Sequence, residues 1–206
     1  MRQIICFGDS NTWGYNPKTR ERFPKGVRWT GILQDQLADQ NVHIIEEGLC
    51  GRTTVHEDVS RPNRKGLDAI SEIMVSHGPV DRVILMLGTN DCKSVYHNSA
   101  QKIAKGVERC IDELLRYVSP DRILLVSPIH LGKDVWKPEY DPEFDQKSVE
   151  VSKGLKQEYY KIAKKKQVAF LAASDYVRPS VVDQEHLDVL GHKRFAQAVF
   201  EKLADY

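Results

Sequence analysis

A chain of 206 residues has room for one sizeable core, and its 30 basic against 29 acidic residues leave a formal charge of +1, so neither a basic nucleic-acid surface nor an acidic tail is written into it. The four cysteines, Cys6, Cys50, Cys92 and Cys110, are scattered without C-x-x-C spacing, which argues against a zinc site or a dithiol motif. The first apolar stretch is far shorter than a signal-peptide core or the roughly 20 residues of a membrane span, and predicts a soluble, cytoplasmic protein with no membrane partner.

The chain opens on RQIICF (2–7), an apolar run of strand length that stops at Gly8-Asp9-Ser10. Trp29, Ile32, Leu33 and Leu37 then recur at helical spacing. VHIIEE (42–47) is a second strand and runs into Gly48-Leu49-Cys50-Gly51-Arg52-Thr53-Thr54. RVILML (82–87) is a third, ending in Gly88-Thr89-Asn90-Asp91. The clearest helical stripe follows: Ile103, Val107, Cys110, Ile111, Leu114, Leu115 and Val118. RILLVS (122–127) is the fourth strand and leads to Pro128-Ile129-His130. IHLGKDVWKPEYDPEFDQ (129–146) has two prolines and no steady period. Loops that long are often functional. Its Trp136, Tyr140 and Phe144 either wall a pocket, meet another subunit or pack on the surface. KIAKKKQ (161–167) suits the solvated C-terminal end of a helix, where cations are favoured. VAFLAA (168–173) is the fifth strand, and 189–206 is a closing helix with Phe195, Val199 and Leu203 on one face.

Strands apolar on both faces, alternating with helices, predict a three-layer α/β/α sandwich around a five-stranded parallel sheet, in one domain over 1–206. Ligands of such sheets bind beyond the carboxyl ends of the strands. What the strands deliver there is therefore the question.

The first delivers Ser10, which either makes a turn or acts as a nucleophile. A serine hydroxyl needs a base, and the base needs a partner to fix its tautomer. Asp183 and His186, spaced i, i+3, fall on one face of a turn, with Asp183 able to accept from Nδ1–H and Nε2 left for Ser10. The alternative is a helix-start acid beside an unrelated histidine. His130, at the fourth strand end, is a second candidate base without a local acid, and with Trp13 and Trp136 it is a candidate for the wall of a substrate pocket. Acyl transfer also needs donors for an oxyanion. The Ser10 and Gly51 N–H groups and the Asn90 amide are suited to that, although glycines also make turns and Asn can cap a helix. Asp9 is expected to hold the Ser10 turn, and Arg52 and Asp91 to pair with each other or with Asp9. Trp13 is expected to wall a substrate pocket, and His192 to pack. Cys6 and Cys110 read as small buried hydrophobes, whereas Cys50 and Cys92 lie beside the motifs, where a catalytic thiol is the lesser alternative. His43, His56, His77 and His97 show no ligand spacing, so no metal or other cofactor is expected.

FGDS, a glycine loop before RTT, GTND and a C-terminal D-x-x-H, in that order across nearly the whole chain, resemble the four blocks of the GDSL-type, or SGNH, serine esterases. FGDSNTWGY, RWTGIL, EEGLCGRTT, MLGTNDCK and VSP make the match closer to the bacterial arylesterase and acyltransferase branch. The resemblance implies a flavodoxin-like topology, Ser10 as nucleophile, His186 as base, Asp183 as orienting acid, and Ser10, Gly51 and Asn90 as the oxyanion hole. Gly51 is preferred to Gly48 because it directly precedes Arg52-Thr53-Thr54. Asn11 departs from the leucine of the family name. The implied activity is cleavage of small or aryl esters through an acyl-Ser10 intermediate, with transfer to water or an alcohol. A carbohydrate deacetylase and a non-catalytic binding module are the alternatives. The resemblance also implies a small-molecule ester as partner and a homo-oligomer.

Overall fold

The structure, a computed structural model, describes residues 2–204. Five strands, β1 (Arg2–Gly8), β2 (Val42–Gly48), β3 (Arg82–Met86), β4 (Ile123–Ser127) and β5 (Ala169–Ala172), form one sheet in the order β2-β1-β3-β4-β5. Every neighbouring pair is parallel. This is the flavodoxin-like order, and the direction of winding reverses between β1 and β3.

Each strand feeds two cores, because successive side chains leave a strand on opposite faces. Ile5, Phe7, Val83, Leu85, Ile123 and Leu125 belong to one. Ile4, Cys6, Ile84, Met86, Leu124 and Val126 belong to the other. Helices α3 (Gly66–Ser76), α4 (Ala100–Leu114) and α5 (Gln146–Lys166) cover the first face. Helices α2 (Trp29–Gln36) and α6 (Val189–Ala204) cover the second, where Trp29 meets Phe195 edge-on at 5.0 Å between ring centroids. The stripe on α4 is buried from Ile103 to Leu114, but the helix stops there and Leu115 and Val118 lie in the turn beyond it. Helix α3 was not evident in the sequence; its buried positions are only Gly66, Ile70 and Met74, too few to form a clear stripe.

The basic run does end α5, yet it is not simply solvated. Lys165 bridges to Glu108 at 2.8 Å and Lys166 to Asp112 at 2.6 Å, both on α4. The segment 129–146 is a chain of turns whose Leu131, Val135 and Phe144 are buried in the first core. Asp145 and Ser148 form a capping box that starts α5.

Candidate active site

The short helix α1 (Ser10–Trp13) begins directly where β1 ends. Asp9 caps it, its side chain accepting from the Asn11 N–H at 3.0 Å. Capping forces the chain to turn at once, so Ser10 is held at the carboxyl edge of the sheet, beside the point where the winding reverses. Ser10 Oγ lies 2.8 Å from His186 Nε2, and His186 Nδ1 lies 2.6 Å from Asp183 Oδ2. Asp183 Oδ1 accepts from the Glu185 and His186 N–H groups, both at 3.1 Å. Both carboxylate oxygens of Asp183 are thus engaged in holding the turn that carries His186.

Asn11 fixes that turn to the nucleophile. Its Oδ1 accepts from the Leu187 N–H at 2.9 Å, and its carbonyl accepts from Trp29 Nε1 at 3.1 Å. The departure from the family's leucine therefore ties α1 to a segment 176 residues away in sequence. The tyrosine after the helix, Tyr15, packs on the His186 ring with centroids 4.3 Å apart. The third support is the 129–146 segment: Gly132 N–H donates to the Gln184 carbonyl at 2.7 Å, and Asp134 N–H to Gln184 Oε1 at 2.9 Å.

Burial disfavours a charge on His186, but Glu185 and Asp183 beside it outweigh that and push its pKa up to about 9. Burial likewise opposes the Asp183 charge, and the hydrogen bond and charge of His186 more than offset it, so Asp183 is held below its usual range. Glu185 is pushed up to about 7, first by burial.

Gly51 sits at φ +82°, a left-handed backbone that strains other residues, and it lines the cleft above Ser10. Gly48 does not line it. A Cβ there would stand 2.1 Å from the Trp13 nitrogen, so Gly48 is needed for close packing of α1 on β2. Asn90 lines the cleft too, and its Nδ2 gives one hydrogen to the Arg52 carbonyl at 3.1 Å. An amide has a second hydrogen to offer.

Arg52 and Asp91 do not pair with each other. The Arg52 guanidinium donates to the Gly8 and Glu47 carbonyls, at 3.0 Å for Gly8, and lies over the Phe7 ring. Asp91 accepts from the Thr54 N–H at 3.0 Å and from its hydroxyl at 2.5 Å. Both residues tie strand-end loops together, chiefly by way of backbone groups that no sequence spacing advertises.

The cleft holds about 510 Å³ and is bordered by Tyr15, Tyr140, Arg61, Lys93 and Glu185 besides the residues above. Three residues expected to wall it do not. Trp13 sits with the Arg22 guanidinium over its ring, and its carbonyl accepts from Arg22 Nε at 2.7 Å. Trp136 packs against the first core and donates Nε1 to the Lys133 carbonyl at 3.1 Å. His130 is half-buried and does not line the cleft; burial and the nearby Arg178 and Lys153 charges keep its pKa low. His192 is buried and packs as expected, its Nδ1 accepting from the Trp29 N–H. Cys50 lines the cleft, but burial first, then Asp9, lifts its thiol to about 11, which leaves it neutral at neutral pH. Neither Tyr15 nor Glu185 carries a sequence signal that marks it as part of a site. Among the described residues no three His, Cys, Asp or Glu side chains gather as metal ligands, and no helix is long and apolar enough to cross a membrane.

The model of the GDSL-like lipase/acylhydrolase family matches residues 6–194. Among solved structures, the chain is similar to Est24, a carbohydrate acetylesterase from Sinorhizobium meliloti, at 35% identity and a TM-score of 0.90, covering 100% of this chain and 99% of that one. It is similar to the aryl esterase of M. smegmatis at 32% identity and a TM-score of 0.90, again over 100% and 99% of the two chains. A member of the lipolytic G-D-S-L family from Veillonella parvula shares the fold at 16% identity and a TM-score of 0.75, covering 100% of both chains. No match was found among curated proteins.

Proposed function

Since the chain belongs to the GDSL-like lipase/acylhydrolase family, we propose that it is a serine esterase that cleaves small carboxylic esters, aryl esters among them, through an acyl-Ser10 intermediate. The observation that carries this reading is the unbroken relay from Ser10 Oγ through His186 to Asp183, at 2.8 and 2.6 Å. His186 Nε2 takes the Ser10 proton as Oγ attacks the carbonyl carbon. Asp183 stabilises the imidazolium that results. The Ser10 and Gly51 N–H groups and the second Asn90 amide hydrogen receive the oxyanion. His186 then gives its proton to the departing alcohol. Water, or a second alcohol, attacks the acyl-enzyme by the same route in reverse.

A second reading, removal of acetyl groups from carbohydrate, is supported by the polar walls of the cleft, where Arg61, Lys93 and Glu185 stand beside two tyrosines. A purely apolar ester would leave the Glu185 carboxyl unanswered. The expected homo-oligomer is supported by exposed Val181, Val182, Val189 and Leu190, which cluster beside the cleft mouth.

The direct test is trapping. A fluorophosphonate should add once, at Ser10, by intact mass and peptide mapping, and p-nitrophenyl acetate should give a burst equal to the enzyme concentration. Adduct at another residue, or none, would remove the reading.

The pH profile is a separate expectation. Only neutral His186 accepts a proton, so kcat/KM should rise with pH as His186 loses its own. Its pKa is lifted to about 9, so the acidic limb should lie well above the ordinary histidine value of about 6.5. An unperturbed histidine would put that limb near neutrality; the carboxyls of Glu185 and Asp183 move it. A limb at or below 6.5, after correction for spontaneous hydrolysis, would contradict the electrostatics described here.

A further inference from the structure

Glu185 is the unexplained group of the site. Its side chain is only 7% exposed, yet it borders the cleft beside the nucleophile. Its carboxyl accepts no hydrogen bond from the described residues. Among the described residues its one opposite charge within 4 Å is His186 Nδ1, at 3.8 Å, beyond hydrogen-bond reach. Asp183 already occupies that nitrogen. Two cations of the cleft wall are engaged elsewhere, Lys93 with Glu143 at 2.6 Å and Arg61 with Asp58 at 2.8 Å, and neither Lys18 nor Arg20, which also line the cleft, bonds to Glu185. A carboxyl buried this far without a donor is costly unless something supplies one. In the neighbouring turn, both oxygens of Asp183 are fully used. The backbone of Glu185 helps to hold the turn that carries His186, but its carboxyl does not, and the acceptor capacity of that carboxyl opens on the side where substrate binds.

Its position also says which part of the substrate it meets. In ester cleavage the departing alcohol oxygen takes its proton from His186 Nε2, so the alcohol portion lies on the His186 side of the cleft. Glu185 adjoins His186 there. We propose, resting on the esterase reading above, that Glu185 is a specificity-determining residue that accepts a hydrogen bond from a free hydroxyl on the alcohol portion of the ester, and so selects partially acylated polyols, the chemistry of a sugar or glycerol monoester, over simple alkyl esters. A site built to accept from a substrate hydroxyl discriminates strongly against an analogue lacking it, because the buried acceptor is then left empty.

The experiment compares 2-hydroxyethyl acetate with propyl acetate, which differ by a hydroxyl in place of a methyl. kcat/KM for both is measured on the wild type, Glu185→Gln and Glu185→Leu at one pH. The ratio of the two values on one enzyme cancels the folded fraction. It also cancels the protonation of His186, since kcat/KM reports the free enzyme for both substrates. A change in His186 basicity alone would therefore leave the ratio fixed. The expected result is a wild-type preference for the hydroxyl-bearing ester that falls by about 10–100-fold in Glu185→Leu, the range for losing a hydrogen bond to a charged group. Glu185→Gln, which keeps a neutral carbonyl acceptor, should fall between. A ratio unchanged in both variants, with the wild type cleaving both esters, overturns the role of Glu185 and leaves the esterase reading standing. A wild type that cleaves neither ester nor p-nitrophenyl acetate overturns both.

Discussion

Ser10→Ala is expected to lower kcat/KM for p-nitrophenyl acetate by about 10⁵–10⁶, the scale on which serine-triad enzymes lose activity when the nucleophile is removed. The substitution deletes one oxygen. It leaves the Asp9 cap, the Asn11 bond to the Leu187 N–H and the Asp183–His186 pair untouched. The backbone N–H of residue 10, Gly51 and Asn90 would still meet a carbonyl oxygen, and His186 would still be a base. Water attack on bound ester should therefore persist at about 10³–10⁴ over the uncatalysed rate, as the residual activity of disabled triads does. Burst and fluorophosphonate adduct should both disappear. The melting temperature should stay close to that of the wild type, because Ser10 Oγ makes one hydrogen bond, to a group that the cleft can rehydrate. A protein that kept wild-type turnover without Ser10 would be catalysing by another group, and Cys50, the thiol in the cleft, would be the first to examine.

What was legible beforehand followed from local rules. Ile4, Ile5, Cys6 and Phe7 are all buried because a central parallel strand is covered on both faces, so the strands stood out as unbroken apolar runs. Asp183 and His186 were legible as a possible pair because three residues is the reach of a single turn, and it was the resemblance, not the spacing, that gave them roles. Gly51 and Asn90 were legible as residue types at strand ends. What failed depended on the path of the chain between those points. Trp13 follows the nucleophile by three residues, but α1 lasts four, and its rotation buries Ser10, Asn11 and Thr12 while Trp13 meets Arg22. Arg52 and Asp91 looked like partners by charge, yet Arg52 found backbone carbonyls and Asp91 found Thr54. Asn11 looked incidental, because the atom it holds is 176 residues on. Glu185 carries no sequence signal that sets it apart from the other acids of the chain. Only the fold shows that the turn is laid against α1 and the 129–146 segment, and that the carboxyl ends up buried.

That second carboxyl gives the largest remaining expectation its interest. Asp183→Asn should lower kcat by about 10⁴, the effect of the same change in other serine triads. The cause is tautomeric. An asparagine can turn its NH₂ toward His186 Nδ1, and Nδ1 must then be the acceptor, with the ring proton on Nε2. Nε2–H cannot take the Ser10 proton. The bonds from the Glu185 and His186 N–H groups to Oδ1 limit the other amide orientation, because only the carbonyl oxygen can accept them. Holding the turn and accepting from Nδ1–H thus compete for one oxygen in the variant, where the native carboxylate has two. Glu185 has a charge near Nδ1 but not the geometry. At 3.8 Å it lies 1.2 Å beyond the distance at which Asp183 binds that nitrogen. A through-space charge raises the basicity of the ring without choosing its tautomer, so it does not replace an acceptor that points at Nδ1–H. The acidic limb of the profile should also move down in Asp183→Asn, since one of the charges lifting His186 is gone. Loss of rate with a lowered limb is the expected pair of results. A variant that retained a tenth or more of the wild-type kcat would mean that Glu185 does close the gap to Nδ1, and that the two acids of the turn are interchangeable.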